Sequence, residues 1–308
     1  MRVDWSNQLL RSLLFAPGNQ PRKLAKVATF GADAIVLDLE DAVAVGQKEG
    51  ARETIRAALP TYRDTVVMVR VNALSTGLCQ ADLEVVTCPS LHAVILPKVD
   101  EPRILNEVDE HLAALEAREG LPIGTIRLFP SIEAALGIVR VEEIALQAPP
   151  RVHTLIFGLA DFTTELGVDL TRDATELLYA RSRVVVAARA AGLAQPIDGP
   201  YLLDLRDREG LIEDSFRARR LGFQGRVVVY PPQVEPTNFA YSFIPPDEVE
   251  LARKIVQGFE EAEAAGSASI QVEGKFVDYP IYRRALHKLR LHEALREKKP
   301  ESRSQNPE

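Results

Sequence analysis

The stretch Ala34-Ile35-Val36-Leu37-Asp38-Leu39-Glu40-Asp41 decides the fold class, because an uninterrupted apolar run ends in a group of carboxylates. Apolar strands of this kind are typical of parallel sheets that helices cover on both faces. Similar short runs alternate with longer helical patterns, and the predicted strands span residues 13–15, 34–39, 66–71, 93–97, 126–131, 154–158, 195–198 and 227–230. Eight strands, each followed by helical sequence, predict a closed TIM (β/α)8 barrel. A doubly wound sheet is the alternative, although no G-x-G-x-x-G motif follows the first strand.

The alternation of strand and helix patterns stops beyond the eighth predicted strand. Pro231-Pro232 and Pro245-Pro246 interrupt the chain, and helical patterns then replace the apolar runs. We therefore predict a barrel domain over residues 1–235 and a C-terminal helical extension with a lid motif over residues 236–296. The polar residues 297–308 are predicted to form a disordered tail.

The composition is that of an ordinary globular protein, with 46% hydrophobic and 26% charged residues in a chain of 308. Lys and Arg total 37 against 44 Asp and Glu, and the resulting net charge of −7 argues against a broad nucleic-acid-binding face. No apolar run approaches the ~20 residues of a membrane span, and the first residues do not resemble a signal peptide. The two cysteines, Cys79 and Cys88, match no zinc or redox motif. We therefore predict a cytoplasmic protein that binds neither nucleic acid nor membrane.

Charged residues recur at the ends of six predicted strands, at intervals of 28 to 37 residues. They are Asp38, Arg70, Lys98, Glu133, Asp161 and Asp198. A TIM barrel of ~250 residues has roughly 31 residues in each strand-and-helix unit, so these intervals fit one charged residue per unit. Because the active sites of such barrels lie at the C-terminal ends of the strands, the pattern places all six residues around one mouth and indicates an enzyme. For any single residue, a structural salt bridge or a helix cap explains the position equally well.

Glu133 and Asp161 are the best candidates for metal ligands. Each follows a predicted strand, and the two strands are consecutive, so the carboxylates are expected to be neighbours across the mouth. Two carboxylates with open coordination positions suit Mg²⁺, which keeps waters and takes further ligands from substrate oxygens. The five histidines show no H-x-x-x-H spacing at a strand end, which argues against zinc. The alternative is that Glu133 only caps a helix over residues 134–146.

Arg70 lies in the apolar sequence Val69-Arg70-Val71, where an unpaired guanidinium would be costly. Its planar donor edge suits a substrate carboxylate, and a fixed ion pair with Asp38 or Glu40 is an equal alternative. Glu40 is a further catalytic candidate, because the acidic group after the second strand could hold metal-bound water or orient Arg70. For Asp41, we favour the interpretation that it caps the following helix.

A basic cluster flanks the turn at residues 17–21 that follows the first strand. Of its four members, Arg11, Arg22 and Lys26 are the candidate phosphate ligands, and Lys23 lies between them. A helix N-terminus beside basic side chains is a suitable phosphate site. Solvated surface cations are the alternative, because lysine and arginine are common on protein surfaces.

Several motifs between residues 11 and 290 occur together in a known family. They are Arg11-Ser12-Leu13-Leu14-Phe15-Ala16-Pro17-Gly18, Gly31-Ala32-Asp33, Leu37-Asp38-Leu39-Glu40-Asp41-Ala42-Val43, Val69-Arg70-Val71-Asn72, Leu96-Pro97-Lys98, Ser131-Ile132-Glu133, Phe157-Gly158 with Asp161, Asp198-Gly199-Pro200, Leu221-Gly222-Phe223-Gln224-Gly225 and Tyr230-Pro231-Pro232-Gln233-Val234. In these motifs the chain resembles the citrate lyase β-subunit-like branch of the HpcH/HpaI aldolase superfamily, which includes malyl- and citramalyl-CoA lyases.

The resemblance implies a TIM barrel that binds Mg²⁺ through Glu133 and Asp161, with Mn²⁺ as an alternative ion. It also implies that Arg70 holds the carboxylate of a 2-oxo acid, and that the phosphates of a coenzyme A thioester lie near the basic cluster. The segment Gly274-Lys275-Phe276-Val277-Asp278-Tyr279-Pro280 looks like the family's lid motif. In that motif the equivalent of Asp278 reaches into the site of a neighbouring subunit, which implies a homotrimer or hexamer.

Two departures from the family pattern bear on the substrate. Tyr230-Pro231 stands where the family usually has His-Pro, so the mouth after the eighth strand differs. Asp41 stands where the free-acid aldolases carry a catalytic histidine, which favours the thioester lyases.

The predicted activity is reversible cleavage of a 3-hydroxy-3-carboxyacyl-CoA, such as malyl-, citramalyl- or citryl-CoA, into an acyl-CoA and a 2-oxo acid. In this prediction Asp278 transfers a proton at the α-carbon of the thioester. The alternatives are a thioesterase acting on the same ester, an aldolase for free acids, and a citrate lyase β-type subunit that needs a carrier protein.

Overall fold

Eight parallel strands close into a barrel in the structure, a computed structural model that describes residues 3–297. The strands are β1 (Ser12–Pro17), β2 (Ala34–Asp38), β3 (Val66–Arg70), β4 (Ala93–Leu96), β5 (Arg127–Ile132), β6 (Ile156–Phe157), β7 (Ile197–Asp198) and β8 (Gly225–Val228). Each strand pairs with the next, and β1 also pairs with β8. The prediction of a TIM barrel is confirmed.

Helices surround the barrel, and all but the last of them connect its strands. They are α1 (Pro21–Val27), α2 (Lys48–Ala58), α3 (Cys79–Val86), α4 (Pro102–Arg118), α5 (Ala135–Val139), α6 (Val141–Leu146), α7 (Leu159–Leu166), α8 (Leu178–Ala190), α9 (Arg208–Leu221) and α10 (Val234–Ser242). Helix α4 shows why they form, because its buried residues Leu105, Val108, Leu112 and Leu115 recur at helical spacing and face the core. A proline in the first turn of α4 removes an N–H that would have no helical partner.

Side chains of the strands alternate between two hydrophobic layers. Val36 of β2 and Met68 of β3 pack inside the barrel with Phe129 and Ile197, whereas Leu37 and its outward-facing counterparts pack against the helices. This alternation determines where a charged residue at a strand end points. At the end of a strand, a residue two positions after one whose side chain lies inside the barrel faces the mouth. A residue immediately after such an interior residue faces the helices.

The chain divides between Tyr241 and Ser242 into two compact units. In the second unit, α11 (Pro246–Ala264) is followed by the hairpin of β9 (Ile270–Val272) and β10 (Lys275–Val277) and by α12 (Tyr279–Glu297). The hairpin turn consists of Glu273 and Gly274, whose φ angles of 47° and 78° suit a two-residue turn with positive φ at both positions. Phe259 is buried and lies 4.8 Å from the ring of Tyr282, so this unit has its own small core.

The predicted helical extension over residues 236–296 therefore overlaps the end of the first unit and contains a two-stranded hairpin as well as helices. Residues 298–308 of the predicted tail lie outside the described part of the chain. Between residues 3 and 297, no helix combines the length and the hydrophobicity needed to cross a lipid bilayer.

Candidate active site

Arg70 and Asp38 form the centre of the candidate site. They are the last residues of β3 and β2 and lie directly opposite each other in the strand register. Arg70 Nε donates to Asp38 Oδ1 at 2.6 Å and Nη2 donates to Asp38 Oδ2 at 2.7 Å, and the guanidinium lies 5.1 Å from the ring centroid of Phe15. Burial alone would lower the pKa of Arg70, but the hydrogen bonds and charge of Asp38 outweigh it and raise that pKa. The ion pair expected as an alternative is therefore present.

This ion pair does not use up the donors of Arg70. An arginine has five N–H groups, and the pair with Asp38 uses one on Nε and one on Nη2. The outer edge of the guanidinium, formed by Nη1 and the second hydrogen of Nη2, can still bind a carboxylate. The side chain of Arg70 is 19% exposed, and Nη1 of this edge also lies 3.1 Å from Glu40 Oε2 and 3.7 Å from Asp41 Oδ2.

The carboxylate of Glu40 is buried among cations without a well-formed hydrogen bond. Its Oε2 lies 3.1 Å from Arg70 Nη1 and its Oε1 lies 3.1 Å from Lys98 Nζ, and neither contact has the geometry of a hydrogen bond. Burial raises the pKa of Glu40, and the charge of Arg70 opposes this shift. Both oxygens therefore keep acceptor capacity.

Glu133 directly follows β5, and its carboxylate is held at both oxygens. Ser131 Oγ donates to Glu133 Oε2 at 2.7 Å, and the backbone N–H of Lys98 donates to Oε1 at 2.9 Å. Lys98 has a φ of 55°, a left-handed conformation that costs a residue with a side chain roughly 1–2 kcal/mol. The helix-cap interpretation of Glu133 is wrong, because the N–H of Ala135 at the start of α5 is bonded to the carboxylate of Glu165 instead.

Asp161 lies in the first turn of α7, half-buried, and its charge acts on Glu133. Burial, together with the carboxylates of Glu40 and Asp161, raises the pKa of Glu133 to about 7. The backbone of Gly158 makes this approach of β5 and α7 possible, because a Cβ at that residue would lie 2.4 Å from Glu133 Oε2. The charge of Asp161 therefore acts on Glu133, and the shared role of the two carboxylates as metal ligands stays a prediction.

This arrangement fits a divalent cation that the protein binds through few ligands. Within residues 3–297 no group of three His, Cys, Asp or Glu side chains is placed to hold a metal ion by itself. A site with two carboxylates and free acceptor capacity suits Mg²⁺, since this ion usually keeps several waters and takes further ligands from its substrate. Burial and the carboxylates of Glu40 and Asp161 raise the pKa of Glu133, and a cation beside Glu133 would offset these effects.

A buried lysine, which the prediction did not single out as a site residue, supports the loop that carries Glu40. Lys48 Nζ donates to the carbonyl oxygens of Leu39 at 2.8 Å and Glu40 at 2.9 Å, and to Asn72 Oδ1 at 2.5 Å. Asn72 in turn donates to the buried carboxylate of Asp82. In the sequence, the only sign of this role is that a lysine stands at the start of an amphipathic helix.

Asp41 does not cap the following helix, and this prediction was wrong. The Asp41 carboxylate is 56% exposed and lies 3.7 Å from Arg70 Nη1 and 4.0 Å from Lys98 Nζ. The backbone N–H groups of Glu40 and Ala42 donate instead to Asp38, each at 3.0 Å. The turn after β2 is therefore closed by the residue that also pairs with Arg70.

The predicted phosphate cluster is not formed as expected. Arg11 precedes β1 at the amino end of the barrel, where Nε donates to Asp33 Oδ2 at 2.7 Å and Nη2 donates to Oδ1 at 2.8 Å. Arg22 lies in the first turn of α1, beyond the other end of the six-residue strand β1. That strand spans about 20 Å, so Arg11 is corrected from a phosphate ligand to an ion-pair partner. Arg22 and Lys26 are exposed on α1.

Asp198 does not face the mouth, so the prediction that all six strand-end charges converge there was wrong. It directly follows the interior residue Ile197 and therefore points outward, to the helices. There it accepts hydrogen bonds from Arg181 and Arg226 and is fully buried.

Asp278 lies in the second unit, between β10 and α12. Its Oδ1 accepts a hydrogen bond from the backbone N–H of Ile281 at 3.3 Å, so the side chain caps α12. Its catalytic role stays a prediction. Tyr230 is half-buried at the start of the segment that follows β8.

Comparison with known proteins agrees with this architecture. The profile of the HpcH/HpaI aldolase/citrate lyase family matches residues 11–231. The citrate lyase subunit beta of Leuconostoc mesenteroides subsp. cremoris is 34% identical over 293 residues, which are 94% of this chain and 95% of the relative. The (3S)-malyl-CoA thioesterase of Cereibacter sphaeroides is 36% identical over 270 residues, which are 87% of this chain and 89% of the relative.

A solved structure of similar shape contains ligands. It is the protein CitE from Mycobacterium tuberculosis in complex with magnesium, acetoacetate and coenzyme A, with a TM-score of 0.76 and 28% sequence identity. The similarity covers 93% of this chain and 99% of CitE.

Proposed function

Because the chain belongs to the HpcH/HpaI aldolase/citrate lyase family, we propose that it cleaves a 3-hydroxy-3-carboxyacyl-CoA reversibly, with Mg²⁺, into an acyl-CoA and a 2-oxo acid. The chain is an enzyme of the carbon–carbon lyase class. The observation that carries the proposal is that Arg70, Glu133 and Asp161 all lie at or just beyond the carboxyl ends of barrel strands, with Asp161 close enough for its charge to act on Glu133. Binding of magnesium, acetoacetate and coenzyme A by CitE supports it.

Arg70 binds the carboxylate of the substrate with its outer edge. Asp38 fixes the guanidinium from the other side with two hydrogen bonds, so the donors are in place before the substrate arrives. Such pre-orientation favours alignment of the breaking C–C bond. Lys98 and Arg70 keep Glu40 next to this carboxylate site, where its buried oxygens can accept hydrogen bonds from the substrate or water.

Glu133 and Asp161 hold Mg²⁺ in this proposal. When bound, the ion supplies positive charge that stabilises the negative charge developing on the hydroxyl oxygen of the substrate. Ser131 and the N–H of Lys98 fix the carboxylate of Glu133, and each carboxylate oxygen keeps a lone pair for the ion.

The reaction requires that the hydroxyl group passes its proton to a carboxylate at the mouth and that the C–C bond breaks. The electron pair of that bond passes to the α-carbon of the thioester, and the resulting enolate takes up a proton. We assign this proton transfer to Asp278 of a neighbouring subunit in a trimer or hexamer. Arg22 and Lys26, which are exposed on α1, are the proposed contacts of the coenzyme A phosphates.

A panel of malyl-, citramalyl- and citryl-CoA tests the proposal. The purified chain should release a 2-oxo acid from at least one ester with Mg²⁺ and none with a chelator. Glu133→Gln and Asp161→Asn should each lose nearly all of this activity while keeping the circular dichroism of the wild type. Full metal-dependent activity in both variants would contradict the assignment.

Thioester hydrolysis is a second candidate, because a malyl-CoA thioesterase is 36% identical to the chain. The same panel separates the two activities. A thioesterase releases free coenzyme A thiol and a hydroxy di- or tricarboxylic acid, whereas the lyase releases a 2-oxo acid without free thiol. A subunit of a citrate lyase complex would be inactive on every soluble ester and active only with a carrier protein.

A further inference from the structure

The motif Asp198-Gly199-Pro200 is not used by the proposed chemistry, yet its aspartate is the centre of a buried ion network. Arg181 donates to Asp198 Oδ1 at 3.2 Å and to Oδ2 at 2.8 Å, and Arg226 Nη2 donates to Oδ2 at 2.8 Å. Asp214 accepts from both arginines at 2.6 to 2.9 Å. Two aspartates and two arginines thus join β7, β8, α8 and α9 without net charge.

Gly199 connects this network to the residues at the barrel mouth. Arg226 Nε donates to the carbonyl oxygen of Gly199 at 3.2 Å. A Cβ at Gly199 would lie 2.6 Å from Leu159 Cγ and 2.8 Å from the carbonyl oxygen of Phe157, so the backbone of Gly199 packs directly against the start of α7. Leu159 is buried and precedes Asp161 by two residues in the first turn of that helix.

We propose that Asp198 is a positioning residue for Asp161, acting through Arg226, Gly199 and Leu159. The inference rests on the proposed binding of a divalent cation by Glu133 and Asp161. Removing the charge of Asp198 leaves two buried arginines with one carboxylate, and the side chains must rearrange. A shift of the Gly199 carbonyl then releases Leu159, and the first turn of α7 no longer holds Asp161 in place.

If Asp198 only stabilised the fold, its replacement would lower the Tm without a specific effect on metal affinity. The chain contains a residue that serves as a matched control. Glu116 is as buried as Asp198 and accepts a hydrogen bond from the buried Arg151 at 3.1 Å. It also accepts from the backbone N–H of Ile126, which directly precedes β5. This second network therefore lies at the amino end of the barrel, away from the mouth.

The test is the affinity for Mn²⁺ alone, measured as free Mn²⁺ by electron paramagnetic resonance. The wild type is compared with Asp198→Asn, Leu159→Ala and the control Glu116→Gln, each checked by circular dichroism and thermal unfolding. We expect the Kd to rise about tenfold in Asp198→Asn, at the lower end of the effect of losing a direct partner of a metal ligand, because Asp198 acts on Asp161 only through other residues. Leu159→Ala should raise the Kd less, and Glu116→Gln should lower the Tm without changing the Kd.

The possible results separate this inference from the proposed function. Wild-type Mn²⁺ affinity in folded Asp198→Asn, or an equal loss of affinity in Glu116→Gln, would overturn the positioning role. If Asp198→Asn does not fold, Leu159→Ala decides, and an unchanged Kd in that variant overturns the role. If Glu133→Gln binds Mn²⁺ as tightly as the wild type, the proposed metal site fails, and this inference fails with it.

Discussion

Replacing Gly158 with alanine is expected to displace the carboxylate of Glu133 and to reduce lyase activity about 100-fold. The added Cβ would lie 2.4 Å from both Cβ and Oε2 of Glu133, and 3.0 Å from Ser131 Oγ. Ordinary contacts between heavy atoms are about 3.5 Å, so Glu133 or the backbone has to move by roughly 1 Å. Displacements of this size at a catalytic group cost about two orders of magnitude in rate, which gives the expected loss.

The assay compares kcat/KM on the best thioester of the panel with the Mn²⁺ affinity of the same variant. Both should fall together, because the displaced group is a proposed metal ligand. The variant should remain folded, since overpacking of a core position costs about 1–3 kcal/mol. Gly50→Ala is the control, because a Cβ at that residue meets no atom within 4 Å. Wild-type activity and Mn²⁺ affinity in Gly158→Ala would refute the geometry on which the site is built.

The pKa of His153 is lowered to about 4, mainly by burial and also by the charge of Arg127. Because the fold disfavours the protonated form, this group reduces the free energy of unfolding as the pH falls from about 6.5 towards 4. Between pH 7 and pH 5, the free energy of unfolding measured in urea should therefore fall less in His153→Gln than in the wild type. Lys48→Met removes two hydrogen bonds to the loop of Glu40 and one to Asn72. We expect kcat to fall and the free energy of unfolding in urea to drop by about 1–3 kcal/mol. An unchanged kcat would contradict a supporting role. Arg22→Ala should raise the KM for the coenzyme A ester while Arg11→Ala lowers only the Tm, and the reverse result would restore Arg11 to the phosphate site.

The parallel barrel could be predicted from the sequence because its strands are apolar on both sides and recur at the spacing of strand-and-helix units. The positions of Glu133 and Asp161 followed from the same spacing. What the spacing does not contain is the direction of each side chain. Arg70 follows the interior residue Met68 by two positions and faces the mouth, whereas Asp198 directly follows Ile197 and faces the helices. Because β7 has two residues, its alternation is too short to recognise in the sequence.

The partners of most charged side chains were also beyond sequence reasoning, although the pair of Arg70 with Asp38 was expected as an alternative. Arg11 and Asp33 are separated by 22 residues, and their ion pair depends on the pairing of β1 with β2 at the amino end of the barrel. Lys48 is recognisable only once its three acceptors from two loops are seen together. The proposed role of Asp278 comes from family resemblance, and the side chain itself caps a helix.

The central claim is that Glu133 and Asp161 bind one divalent cation at the barrel mouth. The most direct measurement is an anomalous difference map from a crystal of the protein soaked in Mn²⁺. We predict a single strong peak at the mouth, about 2.0–2.2 Å from a carboxylate oxygen of each residue, as expected for an octahedral ion of this size. A map with no peak at the mouth, or with a peak whose ion is bound by neither side chain, would contradict the account.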